Sequence, residues 1–310
     1  MERRTYTLAD PDYPSRVRRL SNAPDPLTTS CDLATRDLRV AIVGSRSASA
    51  AGAAFARRLA AHLAGRGAIV VSGGALGIDA AAHEGALEVG GKTWLVAPTG
   101  PGSVTPPSHE GLFARVEASA GGVVWTLAPG ATPLLHTFHE RNEVLATLSD
   151  ALVVVQAAAP RSGALSAGRA AHRLGIPVLT VCGWPGEAAH AGCLELLAEG
   201  AAQVLRSFDH ALEAAASGAL SPRPASPARP RRATRARSGP PAAGPLLALP
   251  PPPLAPATGV LAHLSYEPQH IEKIAEASNL PLPHTLSELL TLALDDVVVE
   301  APPGHYRRRY

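Results

Sequence analysis

Val40-Ala41-Ile42-Val43-Gly44-Ser45-Arg46 decides how the rest of this chain is read. An apolar, largely β-branched run of this length predicts a buried strand. It stops at a glycine, turns, and feeds the Ala-rich stretch Ala50–Gly65, whose composition favours helix. Such a turn leaves backbone N–H groups pointing outward at the start of the helix, where they bind phosphate oxygens without needing a cationic side chain. Arg46 adds a guanidinium on the same turn. The construction recurs at Val70-Val71-Ser72-Gly73-Gly74 and, more loosely, at Arg161-Ser162-Gly163-Ala164. Three anion-ready turns predict a surface for a polyphosphate or a nucleic-acid backbone.

Working outward, apolar runs alternate with Ala/Leu-rich amphipathic segments. Strands are expected at Arg39–Val43, Ala68–Val71, Thr93–Ala97, Gly122–Thr126, Ala151–Val155, Pro177–Val181 and Ala202–Leu205. Helices are expected at Ala50–Gly65, Ile78–Val89, His109–Glu117, Glu140–Leu148, Ala164–Leu174, Ala189–Glu199 and Phe208–Ala216. Continuous apolar strands separated by helices predict an α/β fold, a mostly parallel sheet with helices on both faces. Ligands of such sheets bind at the carboxyl ends of the strands, near the point where strand order reverses. All three turns lie at strand carboxyl ends.

The composition narrows the function classes. In 310 residues the hydrophobic share is 46% and the aromatic share 4%, so the core is built from Ala, Val and Leu. Lys and Arg number 28 against 26 Asp and Glu, which gives no global basic signature. Six arginines, from Arg223 to Arg237, fall within Ser221–Ala257, which has no acid. The remainder is therefore mildly acidic, and nucleic acid must be held by local placement of Arg and N–H groups rather than by a broad positive field. Cys31, Cys182 and Cys193 form no C-x-x-C pair and read as buried free thiols. The N-terminus lacks an apolar leader, and no stretch approaches 18 uninterrupted apolar residues, which predicts a cytoplasmic protein without a membrane partner.

Ser221–Ala257 is Pro- and Ala-rich and reads as a semi-stiff disordered linker. From Thr258 the chain is expected to fold again. Helices at Val260–Leu264, Gln269–Ala277 and His284–Leu294, followed by a hairpin from Val297–Glu300 and Gly304–Arg308, make a winged-helix pattern. Its third helix has no Lys or Arg, so protein contact suits it better than a phosphate-lined groove. The expected division is 1–37 as a short N-terminal segment, 38–217 as the α/β domain, 218–257 as linker and 258–310 as the winged helix.

Six blocks taken in order resemble the DNA-processing protein A (DprA/Smf) family. They are Asp10-Pro11-Asp12-Tyr13-Pro14 with Pro24-Asp25-Pro26-Leu27; Ala41 to Arg46; Ser72 to His83; Phe138 with Arg141-Asn142; Ser162 to Ala167; and Gly192-Cys193-Leu194 with Glu199-Gly200-Ala201. The resemblance implies that 38–217 is an extended Rossmann-like domain, and that the chain is a single-stranded DNA-binding protein that protects incoming DNA and loads the RecA recombinase during natural transformation. It implies a homodimer and no catalytic turnover, cofactor or metal. It also implies a DNA site in which Gly44, Ser45, Arg46, Ser72, Gly73 and Gly74 hold phosphates and Arg141, Asn142, Ser162 and Gly163 complete the pocket. Phe138 lies near an unstacked base or packs in the core beneath the loop. A single strand is generally held by such a groove plus an aromatic platform.

The chain departs from that pattern at Leu76, Glu140 and Glu143, where the family usually carries basic residues, and either weakened DNA affinity or an altered partner is expected. Other chemistry finds little footing. His136 and His139, read as loop residues, lack the companions of a zinc site. Asp79 four residues before His83 reads as a helix-start carboxylate rather than an acid/base couple. No G-x-x-x-x-G-K-[ST] loop or G-x-S-x-G elbow occurs. The alternatives are a nucleotide-binding sensor or nucleotide-processing enzyme on a similar scaffold, or a scaffold homologue that has lost DNA affinity.

Overall fold

The computed structural model describes residues 2–158, 162–217, 259–294, 297–300 and 304–308. In chain order the elements are β1 (Arg4–Tyr6), α1 (Ser15–Arg18), β2 (Leu27–Thr29), β3 (Arg39–Val43), α2 (Ala50–Gly65), β4 (Ile69–Ser72), α3 (Ile78–Glu88), β5 (Thr93–Ala97), α4 (Glu110–Ala118), β6 (Gly122–Trp125), α5 (Leu135–Thr147), β7 (Ala151–Val154), α6 (Gly163–Arg173), β8 (Val178–Thr180), α7 (Ala191–Ala198), β9 (Gln203–Val204) and α8 (Phe208–Ala216). After residues 218–258 come β10 (Gln269–His270), α9 (Ile271–Ser278), α10 (Leu282–Leu294), β11 (Val298–Glu300) and β12 (His305–Arg308). The linker expected at 218–257 lies outside the described residues.

The first nine strands form one sheet in the order β1-β2-β6-β5-β4-β3-β7-β8-β9. From β6 to β9 neighbouring strands run parallel, whereas β1–β2 and β2–β6 are antiparallel. The chain winds outward from β3 through β4, β5 and β6, then returns to β3's other side with β7. The strand order therefore reverses between β3 and β7, and the crevice beyond their carboxyl ends is the expected ligand position.

Period-two alternation assigns the two faces. Val40 and Ile42 point into one core with Leu59, Leu63, Ile78, Ala82 and Ala211, under α2, α3 and α8. Ala41 and Val43 point into the other with Val144, Leu145, Leu165 and Leu196, under α5, α6 and α7. Small side chains let α2 and α3 approach closely: a Cβ at Gly85 would lie 2.1 Å from the Arg57 carbonyl oxygen. Beyond the first sheet, β10, β12 and β11 form a separate three-stranded antiparallel sheet beside α9 and α10, which is the winged helix.

Several expectations need correction. The first two strands, β1 and β2, were not anticipated: the 1–37 segment extends the sheet rather than merely leading into it. The expected helix Glu140–Leu148 begins at Leu135, because Thr137 closes its first turn: its hydroxyl donates to the Leu134 carbonyl at 2.8 Å and its N–H to the same oxygen at 3.0 Å. His136, Phe138 and His139 are therefore helical, not loop residues. The stretch expected as a helix at Gln269–Ala277 opens with β10, and Val260–Leu264 is a 3-10 turn at Gly259–His263. Cys31 and Cys193 are buried, but Cys182 is exposed.

Asp79 and His83 form no couple. His83 is fully buried, and its Nδ1 lies 2.7 Å from the Thr93 hydroxyl. That hydroxyl donates to the Val70 carbonyl, so His83 carries its proton on Nδ1 and leaves a buried Nε2 without a partner among the described residues. Protonating Nε2 would bury an unanswered charge, and burial accordingly pushes the ring down to about 3. The group's native value lies below its unfolded one. Its contribution is thus complete above about pH 6.5 and is lost as pH falls, at about 1.4 kcal/mol per pH unit. His83→Gln should flatten the acid limb of urea-midpoint measurements between pH 6.5 and 4; an equally steep limb would assign the acid sensitivity elsewhere.

Candidate nucleic-acid interface

A cavity of about 410 Å³ opens at the carboxyl ends of β3 and β7. Such a volume falls within the range of small-molecule and cofactor sites. Its first wall is the turn after β3, with Gly44, Ser45, Arg46 and Ser47. Glycine is required at 44 because a Cβ there would lie 2.5 Å from Ile78 Cγ1 of α3. Gly77, at φ 74°, permits a second close approach: a Cβ there would sit 2.3 Å from the Ser45 carbonyl oxygen.

Gln156, just past β7, locks this turn, and sequence reasoning missed it. Its carbonyl accepts the Ser45 N–H at 2.8 Å, its side-chain oxygen accepts the Ser49 N–H at 3.1 Å, and its amide donates to Ser49 Oγ at 2.9 Å. Ser49 Oγ in turn caps α2 by accepting the Gly52 N–H at 3.0 Å. A buried glutamine between two adjoining strand ends could have been noticed, but its three partners are set by the sheet rather than by spacing.

The opposite wall is the start of α6. Ser162 caps this helix, accepting the Leu165 N–H at 3.2 Å, and Ser162, Gly163 and Ala164 all line the cavity. First-turn amides of a helix have no intrahelical acceptor and carry its positive dipole end. Asn142 of α5 lines the cavity and donates to the Gly163 carbonyl at 3.3 Å, tying α5 to this wall. Arg161 lies outside the described residues.

The floor is Asp79 and Arg141. Arg141 is 5% exposed and donates through Nη1 to the carbonyls of Gly73, at 2.6 Å, and Val96, at 2.9 Å. Its charge meets Asp79 across Gly73, where a Cβ would lie 1.8 Å from Arg141 Nη1 and 2.7 Å from Asp79 Oδ2. Burial pushes the Arg141 guanidinium down to about 10. Burial also pushes the Asp79 carboxyl up, against the pull of the Arg141 and Arg46 guanidinium groups. The reading of Asp79 as a mere helix-start carboxylate missed this buried charge balance.

The second turn departs from expectation. Ser72 is fully buried and its hydroxyl donates to the Ile42 carbonyl at 2.7 Å. The Gly73 N–H donates to Asp79 Oδ2 at 3.2 Å, and the Gly74 carbonyl faces His109 Nδ1 at 2.9 Å. None of the three lines the main cavity, although Gly73 borders an adjoining cleft. The Ser72 hydroxyl, the Gly73 N–H and the Gly74 carbonyl are thus engaged by the protein, and this turn lies beside the main cavity rather than on its lining. Arg141 likewise has its guanidinium turned to backbone carbonyls.

Phe138 is 4% exposed and packs against Leu290 of α10, with Leu135 and Leu286 around it. The Arg46 guanidinium lies 5.7 Å from its ring centroid. Of the three expected losses of positive charge, two point elsewhere: Glu140 accepts from Asn22 at 3.2 Å and Glu143 from Arg173 at 3.1 Å, and neither lines the cavity. Leu76, 38% exposed, borders the adjoining cleft beside Arg46. Among the described residues no group of three or more His, Cys, Asp or Glu is placed to hold a metal ion. Nor is any described helix long and apolar enough to cross a membrane.

Residues 4–216 match the family model for DNA recombination-mediator protein A, and residues 240–304 match that for the DprA winged helix domain. A relative from Mycobacterium tuberculosis is 43% identical over 170 residues, which is 54% of this chain but 43% of that protein, so the chain spans under half of that relative. Protein Smf of Escherichia coli is 30% identical over 298 residues, covering 96% of this chain and 75% of the relative. A solved structure of DNA processing protein A from Helicobacter pylori, described for its single-stranded DNA binding mode, superposes with a TM-score of 0.61 at 27% identity over 70% of this chain and 96% of its own.

Proposed function

Because the chain belongs to the DNA recombination-mediator protein A family, we propose that residues 38–217 bind single-stranded DNA at the β3/β7 crevice. We propose further that the protein works as a homodimer in the cytoplasm, delivers the strand to a RecA-type recombinase, and acts by binding rather than by turnover. Residues 258–310 form its winged-helix part, joined through 218–257.

One observation carries the reading. The sheet brings Ser45 and Arg46 from one strand end, and Ser162 and Gly163 from its neighbour, onto facing walls of a single cavity. Amides of the α6 start favour phosphate oxygens, and a guanidinium can grip two of them at once. The relative with a described single-stranded DNA binding mode supports the same ligand. Fluorescence anisotropy of a labelled oligothymidylate, with thymidine monophosphate as competitor, tests it. Oligomer binding that the mononucleotide does not displace is expected. Tight mononucleotide binding would favour the nucleotide-sensor alternative, and no signal would favour a scaffold without DNA affinity.

Leu76→Arg should restore one phosphate contact beside Arg46. It should tighten oligothymidylate binding and steepen the salt dependence by about 0.7 in log–log slope, the single-strand value for one neutralised phosphate. An unchanged slope would put Leu76 off the path of the strand.

A further inference from the structure

The cavity has a third wall that neither strand-end turn supplies. Leu292 of α10 and Val297 just beyond it line the cavity, and Ser287 and Thr291 border the adjoining cleft. Leu290, 2% exposed, covers Phe138, and the Ser287 hydroxyl lies 3.1 Å from that of Thr105. Leu290 is absent from the winged helix's own core, which is built on Val260, Leu264, Ile274, Leu289, Val298 and Tyr306. Leu290 is thus an apolar residue committed to the other part of the chain.

We propose that α10 is an internal cover over the DNA cavity, so that the winged helix and single-stranded DNA compete for the Phe138 wall. The inference rests on the DNA reading and adds its regulation. With α10 seated, Phe138 has no face open for a base, and Leu292 and Val297 stand where sugar or base would pass. The helix carries no Lys or Arg and presents Ser287, Thr291 and leucines, a composition suited to protein contact and not to phosphates. Residues 218–258 connect the two parts, and a chain of that length can reach on the order of 130 Å, so release needs no break in either fold. The apparent DNA affinity is then the intrinsic one scaled by the fraction of molecules in which α10 is lifted. Any partner that captures the winged helix would thereby raise DNA affinity at a distance.

A reversible staple tests this in the full chain. Thr105→Cys with Ser287→Cys, in a Cys182→Ser background to remove the exposed native thiol, places two sulfurs where hydroxyls now sit 3.1 Å apart. Oxidised, the protein should lose oligothymidylate affinity by at least about tenfold relative to the same sample reduced, since the lifted state is removed. Leu290→Arg, which undocks the helix without touching the winged-helix core, should bind more tightly than the parent. Equal affinity of oxidised and reduced forms would overturn the cover while leaving the DNA reading intact. Failure of the disulfide to form would overturn it as well, because the seated state would not be populated. Absence of binding by the reduced protein and by Leu290→Arg would instead remove the DNA reading and this inference with it.

Discussion

Arg141→Met should destabilise the protein by about 2–4 kcal/mol, read as a shift of the urea midpoint at constant slope. The side chain is almost fully buried and supplies donors to two carbonyls at the bottom of the cavity, those of Gly73 and Val96. Methionine fills similar space but leaves both oxygens unanswered, at about 1–3 kcal/mol for each buried group left unsatisfied. Asp79 also loses the first of the two guanidinium groups that hold it down. Its native value already lies above the ordinary aspartate range. It therefore favours the folded state at low pH, and that contribution is lost as pH rises through the native value. The variant's deficit should accordingly be larger at pH 8 than at pH 5, and Asp79→Asn added to Arg141→Met should recover part of it. A deficit below about 1 kcal/mol would mean that Arg141 is not a structural element and is available to a ligand.

Arg46→Ala carries the largest expected effect on binding. The side chain lines the main cavity and the adjoining cleft and reaches over the Phe138 ring. A charge-assisted contact of this kind is worth about 1.5–3 kcal/mol, so affinity for oligothymidylate should fall by about tenfold to a hundredfold and the salt dependence should become shallower. The turn should keep its geometry, which Gly44, Gly77 and Gln156 fix, while Asp79 loses one of the two positive charges that face it. Lysine at this position should restore only part of the loss, because it lacks the planar fork. Unchanged affinity in Arg46→Ala would take this residue out of the site.

What the sequence disclosed follows from which features are local. Val40–Arg46 announced the strand and the turn that walls the cavity, because β-branched runs and a glycine stop act over a few residues. The parallel, helix-covered sheet was legible for the same reason. The start of α5 was not: nothing in the stretch before Glu140 looks strongly helical, and the helix is fixed by Thr137 closing its first turn and by Phe138 reaching a buried surface. Ser72-Gly73-Gly74 has the composition of a phosphate turn, yet the Ser72 hydroxyl, the Gly73 N–H and the Gly74 carbonyl are taken by Ile42, Asp79 and His109, partners 30, 6 and 35 residues away. Arg141 enters the expected DNA pocket only through the family resemblance, and nothing local in the sequence marks it as buried. Only the tertiary position of two carbonyls and one carboxylate explains where it points. The absence of Lys and Arg from α10 predicts protein contact; in the structure Leu290 of this helix packs on Phe138 of the chain's own α5.

The central claim is that one strand of DNA runs through the crevice where β3 and β7 end. Photo-crosslinking of the full chain to an oligothymidylate carrying a photoreactive thymine, followed by peptide mapping, tests it most directly. The account predicts adducts in the peptides around Ser45–Ser49 and around Ser162–Ala167, lost when Arg46 is replaced by alanine. Adducts confined to the winged helix, or to the sheet edge at β9, would contradict it.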